Sequence, residues 1–232
     1  MIKPTVNNII RLLTELGLKK DDTVLIHSNV ATLGKVENGL DGIFAALLDV
    51  IGNKGNLVVP TFSFSFCKGE VFDIQNTKSE VGIFTEYIRN LNSSVRSLHG
   101  ITSFSAIGND AKKLMSMSDK TSYGFGSVPA NLRKAGCKIL QFGTPYISHT
   151  HYVERLVGVE YRHDKDFDGI IRDGSIKYEE TCSLYVRRRD RIVNKLAARD
   201  IRVEFFESDS CKEIKLAYGT HRLFSVKDYV SF

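Results

Sequence analysis

Two histidines and a glutamate fall within residues 149–154 of the segment Ser148-His149-Thr150-His151-Tyr152-Val153-Glu154. An unperturbed histidine titrates near about 6.5, so at neutral pH it can accept a proton and return it. A carboxylate within reach can hold the ring in one tautomer, which makes a positioned general base. Glu154 lies three residues after His151, and a helix beginning near Thr150 places the two on one face. A glutamate in a first helical turn also suits the helix dipole without any catalytic role. His149 offers the same chemistry two residues earlier, pointing elsewhere on a turn.

The elements around this segment are expected to bring it to an edge. Lys138-Ile139-Leu140-Gln141-Phe142-Gly143 reads as a buried strand ending in a turn. The histidines follow at its carboxyl end, where ligands collect in open α/β sheets. Upstream, Val6, Ile9, Ile10, Leu12, Leu13 and Leu16 have helical spacing, with Gly17 as a stop. Asp22–His27 and Asn56–Phe62 read as buried strands, Gly42–Ile51 and Val81–Asn90 as helices. Phe104–Gly108 reads as a strand and Asp110–Met117 as a helix. This alternation predicts a layered α/β/α-type domain with a central mixed sheet. After Tyr161 the texture becomes β-rich. Ile170–Tyr178 reads as a hairpin around Asp173-Gly174, and Ile201–Ser208 and Thr220–Val226 as further strands. The basic run Arg187-Arg188-Arg189-Asp190-Arg191 is placed on a helix. No linker divides the 232 residues, so one domain is expected, with a core over 1–160 and an acceptor side over 161–232.

Composition narrows the class. Apolar content of 42%, charged content of 25% and a net charge of +5 are ordinary for a globular protein. The mild basic excess suits an anionic ligand and gives no case for nucleic acid. Cys67, Cys137, Cys182 and Cys211 form no CxxC pair, so no metal site is expected and the thiols read as reduced. No run approaches the ~18 apolar residues of a membrane span. Residues 1–8 lack the apolar core of a signal peptide, so a cytoplasmic protein is expected.

Several blocks in order resemble the aminoglycoside 3-N-acetyltransferase family, whose fold is distinct from that of the common GNAT acetyltransferases. Ile26-His27-Ser28-Asn29-Val30-Ala31-Thr32-Leu33-Gly34 resembles its His-Ser-Ser-Leu-x-x-x-Gly loop, with Asn29 and Val30 in place of Ser and Leu. Gly55–Phe62 resembles Gly-Thr-Leu-x-x-Pro-Thr-Phe. Phe72-Asp73, Thr77 and Gly82–Glu86 match the next block. Arg96-Ser97-Leu98-His99-Gly100 and Ser103–Gly108 match another, with Gly100 where proline is usual. Ser148, His151 and Glu154 stand on Thr-x-x-His-x-x-Glu. The resemblance covers roughly residues 5–162.

The resemblance implies an N-acyltransferase that moves an acetyl group from acetyl-CoA to an amine. Its acceptors include aminoglycosides, linking it to antibiotic resistance. Relatives also act on nucleotide-linked amino sugars, linking them to lipopolysaccharide O-antigen biosynthesis. A non-catalytic protein of the same fold that binds coenzyme A or a nucleotide sugar is the alternative, and a homo-oligomer is left open. His151 becomes the expected base, taking the amine proton as nitrogen attacks the thioester carbonyl. Glu154 or Asp73 would support it or meet the acceptor, although Asp73 also suits an Asx-turn. His99 is expected to line the acceptor side or to be a bonded structural histidine. Ser28, Asn29 and Val30, in a loop of small residues, would approach the pyrophosphate of coenzyme A. Thr61, Phe62, Ser97 and Ser103 are expected along the cofactor. Cys67 and Cys137 are weighed as acyl carriers and set aside in favour of direct transfer.

Overall fold

The structure, a computed structural model, describes residues 3–190 and 202–232. Thr5 starts the first helix, α1 (Val6–Leu16), through a capping box: its hydroxyl accepts from the Asn8 amide, and Asn8 Oδ1 accepts from the Thr5 amide. Strand β1 (Thr23–Ser28) follows, then a 3₁₀ turn (Val30–Leu33), helix α2 (Gly39–Ile51) and strand β2 (Asn56–Pro60). The chain continues through β3 (Phe72–Asp73), α3 (Ile83–Arg89), β4 (Val95–Arg96) and β5 (Phe104–Gly108). Next come α4 (Ala111–Met115), α5 (Val128–Lys134), β6 (Lys138–Phe142) and α6 (Thr150–Leu156). The last part holds β7 (Arg162–Asp173), β8 (Ile176–Arg187), β9 (Lys212–Leu216), β10 (Gly219–Ser225) and a C-terminal helix (Val226–Ser231).

Seven strands form the central sheet in the order β4-β5-β2-β1-β6-β10-β9. β1 runs parallel to β2 and β6, and the outer pairs are antiparallel, so the sheet is mixed as expected. Residues of β1 alternate between the two cores. Val24 and Ile26 pack with α1, α2 and α3, whereas Leu25 packs with α4, α5 and Phe224. A strand buried on both faces needs this continuous apolar run. The parallel strands end together at Ser28, Pro60 and Phe142, which builds one carboxyl edge.

A second sheet joins β3, β7 and β8. β7 and β8 pair along their whole length from Arg162↔Arg187 to Asp173↔Ile176. Their two-residue turn, Gly174-Ser175, has Gly174 at φ +60, which suits glycine at the tip of a hairpin. Two expectations fail in this half. Arg187 closes strand β8 instead of sitting on a helix, and Arg191 lies outside the described residues. Residues 202–207 are helical, not a strand, and Ile201 lies outside the described residues. Phe205 is the reason: it inserts into the core against Phe224 and Tyr229, at ring separations of 5.1 and 5.0 Å.

Candidate active site

Strand β6 delivers the chain to the carboxyl edge, and the turn after Gly143 carries it into α6. Gly143 sits at φ +76, and a Cβ there would lie 1.8 Å from the Thr32 hydroxyl. Thr32 is in turn held by the β9–β10 turn, where the Tyr218 amide donates to its carbonyl at 2.8 Å. The loop from Ser28 to Gly34 is therefore clamped before any ligand arrives.

On α6, His151 and Glu154 meet as the helical spacing predicts. Glu154 Oε2 accepts from His151 Nδ1 at 2.7 Å. That bond assigns the proton to Nδ1 and leaves Nε2 as a lone-pair acceptor. The His151 side chain is 27% exposed and Glu154 13%. Two residues after the helix complete the pair. Arg162, the first residue of β7, lies 2.6 Å from Glu154 Oε2, and the Tyr161 hydroxyl donates to Oε1 at 2.9 Å. Burial pulls the Glu154 carboxyl upward, but the His151 bond and the Arg162 charge outweigh it and hold it below the usual range. Tyr123 packs edge-on against the His151 ring, centroids 5.4 Å apart.

His27 stands beside this pair at the end of β1. Its Nε2 accepts from the Ser148 amide at 3.3 Å and lies 3.2 Å from the Ser148 hydroxyl. The ring is 2% exposed and touches Tyr146 edge-on at 5.4 Å. Burial, with His149 nearby, pushes its pKa down to about 3, so it is neutral at pH 7.

A cleft opens along this edge. One cavity of about 380 Å³ is walled by His27, Ser28, Pro60, Phe62 and Tyr146. A second, of about 400 Å³, shares Ser28 and adds Asn29, Val30, Lys35 and Ile83. The Ser28 hydroxyl is buried with no partner among the described residues, an orphaned polar atom at the junction of the two. A mainly apolar, elongated cleft with one cation and one unpaired hydroxyl fits a pantetheine arm and its phosphates.

The remaining expected residues divide. Ser28, Asn29, Val30 and Phe62 line the cleft. Thr61, Ser97 and Ser103 are enclosed instead. Ser103 Oγ donates to the Thr61 carbonyl at 2.8 Å and receives Arg96 Nε at 3.0 Å, and Ser97 Oγ accepts from the Phe104 amide. Almost fully buried, they brace the strand ends and are not among the residues that line the two cavities. His99 is likewise enclosed, not on an acceptor surface. Its Nδ1 accepts from the Ile101 and Thr102 amides, and burial lowers its pKa to about 4. His149 donates from Nε2 to the Pro129 carbonyl at 3.2 Å and is enclosed, which removes it as a base.

Asp73 does not reach His151. It closes an Asx-turn over Gln75 and Asn76 and faces Arg172, ten residues along β7 from the Arg162 that touches Glu154. Ten strand residues span about 33 Å. Burial raises the Cys67 and Cys137 thiols, so neither is a ready thiolate. Sequence reasoning missed His27, Tyr123, Tyr146, Tyr161 and Arg162. His27 stands in the loop block Ile26–Gly34, and the adjacent Tyr161-Arg162 closely follows Glu154; these were the local signals. Among the described residues no cluster suited to a metal ion occurs, and no helix is long and apolar enough to cross a membrane.

The site and layers define an α/β protein with a cofactor-sized cleft beside a histidine–carboxylate pair. Residues 25–232 match the model of the family described as aminoglycoside 3-N-acetyltransferase, and the chain belongs to that family. Aminoglycoside N(3)-acetyltransferase VII of Streptomyces paromomycinus is 29% identical over an alignment of 193 residues, with 73% of this chain and 67% of that protein covered. Aminoglycoside N(3)-acetyltransferase IX of Micromonospora chalcea is 28% identical over an alignment of 169 residues, with 63% of this chain and 60% of that protein covered. The chain thus spans about three fifths to two thirds of these curated relatives. The solved structure of AAC-IIIb in binary complex with CoASH superimposes with a TM-score of 0.87 at 21% identity, covering 99% of this chain and 94% of the other. That likeness establishes the fold.

Proposed function

We propose that this protein transfers an acetyl group from acetyl-CoA to an amino group of an aminoglycoside, with His151 as the base. The supporting observation is the 2.7 Å pair of His151 and Glu154 on α6, the helix that follows the cleft-lining Thr144 and Tyr146 along the chain. Glu154 fixes the tautomer, so His151 Nε2 accepts the proton as the amine attacks. Arg162 keeps Glu154 ionised, which favours the imidazolium that forms. Ser28, Asn29, Val30 and Phe62 hold the donor, as the cleft dimensions and the orphaned Ser28 hydroxyl suggest. Family membership and the CoASH-bound relative support the donor; the two curated relatives support the acceptor.

A second observation favours a cationic acceptor over a nucleotide-linked sugar. Asp164, Asp166 and Asp168 alternate on β7, so they share one face, and all three are exposed. Asp164 pairs with Arg155 on α6, the helix that carries His151. A row of carboxylates leading from the dyad attracts a polyamine and repels a nucleoside diphosphate.

The test is thiol release from acetyl-CoA against a panel of aminoglycosides and nucleotide-linked amino sugars. Acceptor-dependent release with aminoglycosides is expected. Release with the nucleotide-linked sugars alone would reassign the acceptor. No release with any member would replace transfer by plain binding.

A further inference from the structure

Building on the acetyl-transfer reading, we propose that His27 is a second catalytic residue, its Nδ1–H donating a hydrogen bond to the thioester carbonyl oxygen as that oxygen becomes an oxyanion. The tautomer follows from the Ser148 amide. A backbone N–H can only donate, so His27 Nε2 must accept, and the proton of a neutral ring resides on Nδ1. Among the described residues no group pairs with Nδ1. The ring forms part of the wall of the 380 Å³ cavity, with Phe62, Phe64, Thr144 and Tyr146 around it. A donor against an apolar wall is costly unless a ligand accepts from it.

Ser148 sets the two imidazoles relative to each other. Its amide and hydroxyl hold His27, and its carbonyl accepts the His151 amide at 3.1 Å. Tyr146 lies edge-on to His27 and Tyr123 edge-on to His151, so each imidazole has an aromatic neighbour. The division of labour is chemical. His151 has an exposed lone pair and takes a proton. His27 is enclosed, stays neutral and offers a fixed dipole, the kind of preorganised donor that stabilises developing charge without reorganising.

The step balances as follows. The amine lone pair forms the N–C bond, and the carbonyl π pair moves onto oxygen, where His27 Nδ1–H meets it. The amine proton passes to His151 Nε2. Collapse restores C=O, the C–S bond breaks, and His151 returns the proton to the thiolate, giving amide and free thiol.

Two variants separate donation from shape. His27→Phe keeps a ring and removes both nitrogens; His27→Asn keeps an N–H close to the place of Nδ1. Both lose the acceptor for Ser148, so their difference isolates the donor. His27→Phe is expected to lower kcat by about 10²–10³-fold with the KM for acetyl-CoA within about threefold, and His27→Asn to recover at least about tenfold of that loss. Retained kcat in His27→Phe, or equal losses in two variants that melt like the wild type, overturns the proposal. Should His27→Phe not fold, the wild-type protein decides the matter. The infrared carbonyl band of bound acetyl-CoA labelled with ¹³C at the carbonyl is expected at lower frequency than in solution, and an unshifted band overturns the assignment. That band needs only donor binding. A wild-type protein that binds acetyl-CoA but releases no thiol with any acceptor would instead fail the transfer reading.

Discussion

At the carboxyl edge of the central sheet, polar side chains are enclosed and bonded to backbone; along the β7–β8 hairpin they are exposed and bonded to one another. His27, His99 and His149 each face a backbone amide or carbonyl from a buried position. On the hairpin, Asp168 accepts from the Thr181 hydroxyl at 2.7 Å and Asp166 from that of Ser183, both at the surface. The first arrangement fixes neutral dipoles in a low-dielectric wall. The second supplies charge that solvent screens and a ligand can re-pair. The seam is the ion pair of Glu154 on α6 with Arg162 on β7, so each region contributes one side of the dyad's support.

Acid should break the comparison most forcefully. Burial lowers the pKa of His27 to about 3 and of His99 and His149 to about 4. Unfolded, each returns to about 6.5 and binds a proton the native state refuses. Between pH 6.5 and about 4 the unfolded chain thus holds more protons, and stability falls as pH falls. Each ring contributes on the order of 2 kcal/mol between pH 7 and 5, about 6 kcal/mol together, a large share of a typical domain's 5–15 kcal/mol. Urea unfolding at the two pH values measures this. Superimposable curves would mean that these rings can charge in place.

His151→Ala is the next largest expected effect. Loss of a positioned base lowers kcat by about 10²-fold or more, with the KM for acetyl-CoA little changed. Steady-state kinetics at saturating acceptor check it, and a kcat within a fewfold of wild type would remove His151 as the base. Glu154→Gln should fall between the two, because an amide can still hold the ring but no longer favours imidazolium.

These elements differ in how far the sequence discloses them. The His151–Glu154 pair is local: a three-residue helical spacing suffices. The strands of the central sheet are legible as apolar runs because both their faces are buried. The hairpin tip at Gly174 is legible because few residues other than glycine tolerate its positive φ. Enclosure is not local. Thr61, Ser97, Ser103 and His99 sit in motif blocks exactly as exposed ligands would, and only distant packing encloses them. Ser148 and His27 are 121 positions apart, and nothing in either neighbourhood announces their bond. Val203 and Phe205 alternate with polar residues as in a strand, yet the aromatic cluster around Phe205 is built on a helix.

The smallest effects should come from the hairpin and sharpen its role. Asp166→Asn and Asp168→Asn each remove one exposed charge while keeping an oxygen for the facing hydroxyl. The expected result is a rise of about two- to fivefold in acceptor KM for a polycationic aminoglycoside, with kcat and the KM for acetyl-CoA unchanged. Surface charges attract a mobile ligand by only about 0.2–1 kcal/mol each, which sets that range. The rise should shrink as salt increases, because the Debye length falls from about 10 Å at 0.1 M to about 3 Å at 1 M. Asp73→Asn is the internal comparison. It removes an equal charge from the same sheet, but at the far end of β7, where Asp73 serves its own turn and faces Arg172. It should leave acceptor KM unchanged at all salt concentrations. Equal shifts from Asp73 and Asp166 would mean that net charge attracts the acceptor, and the row that begins at Asp164 beside α6 would lose its special place.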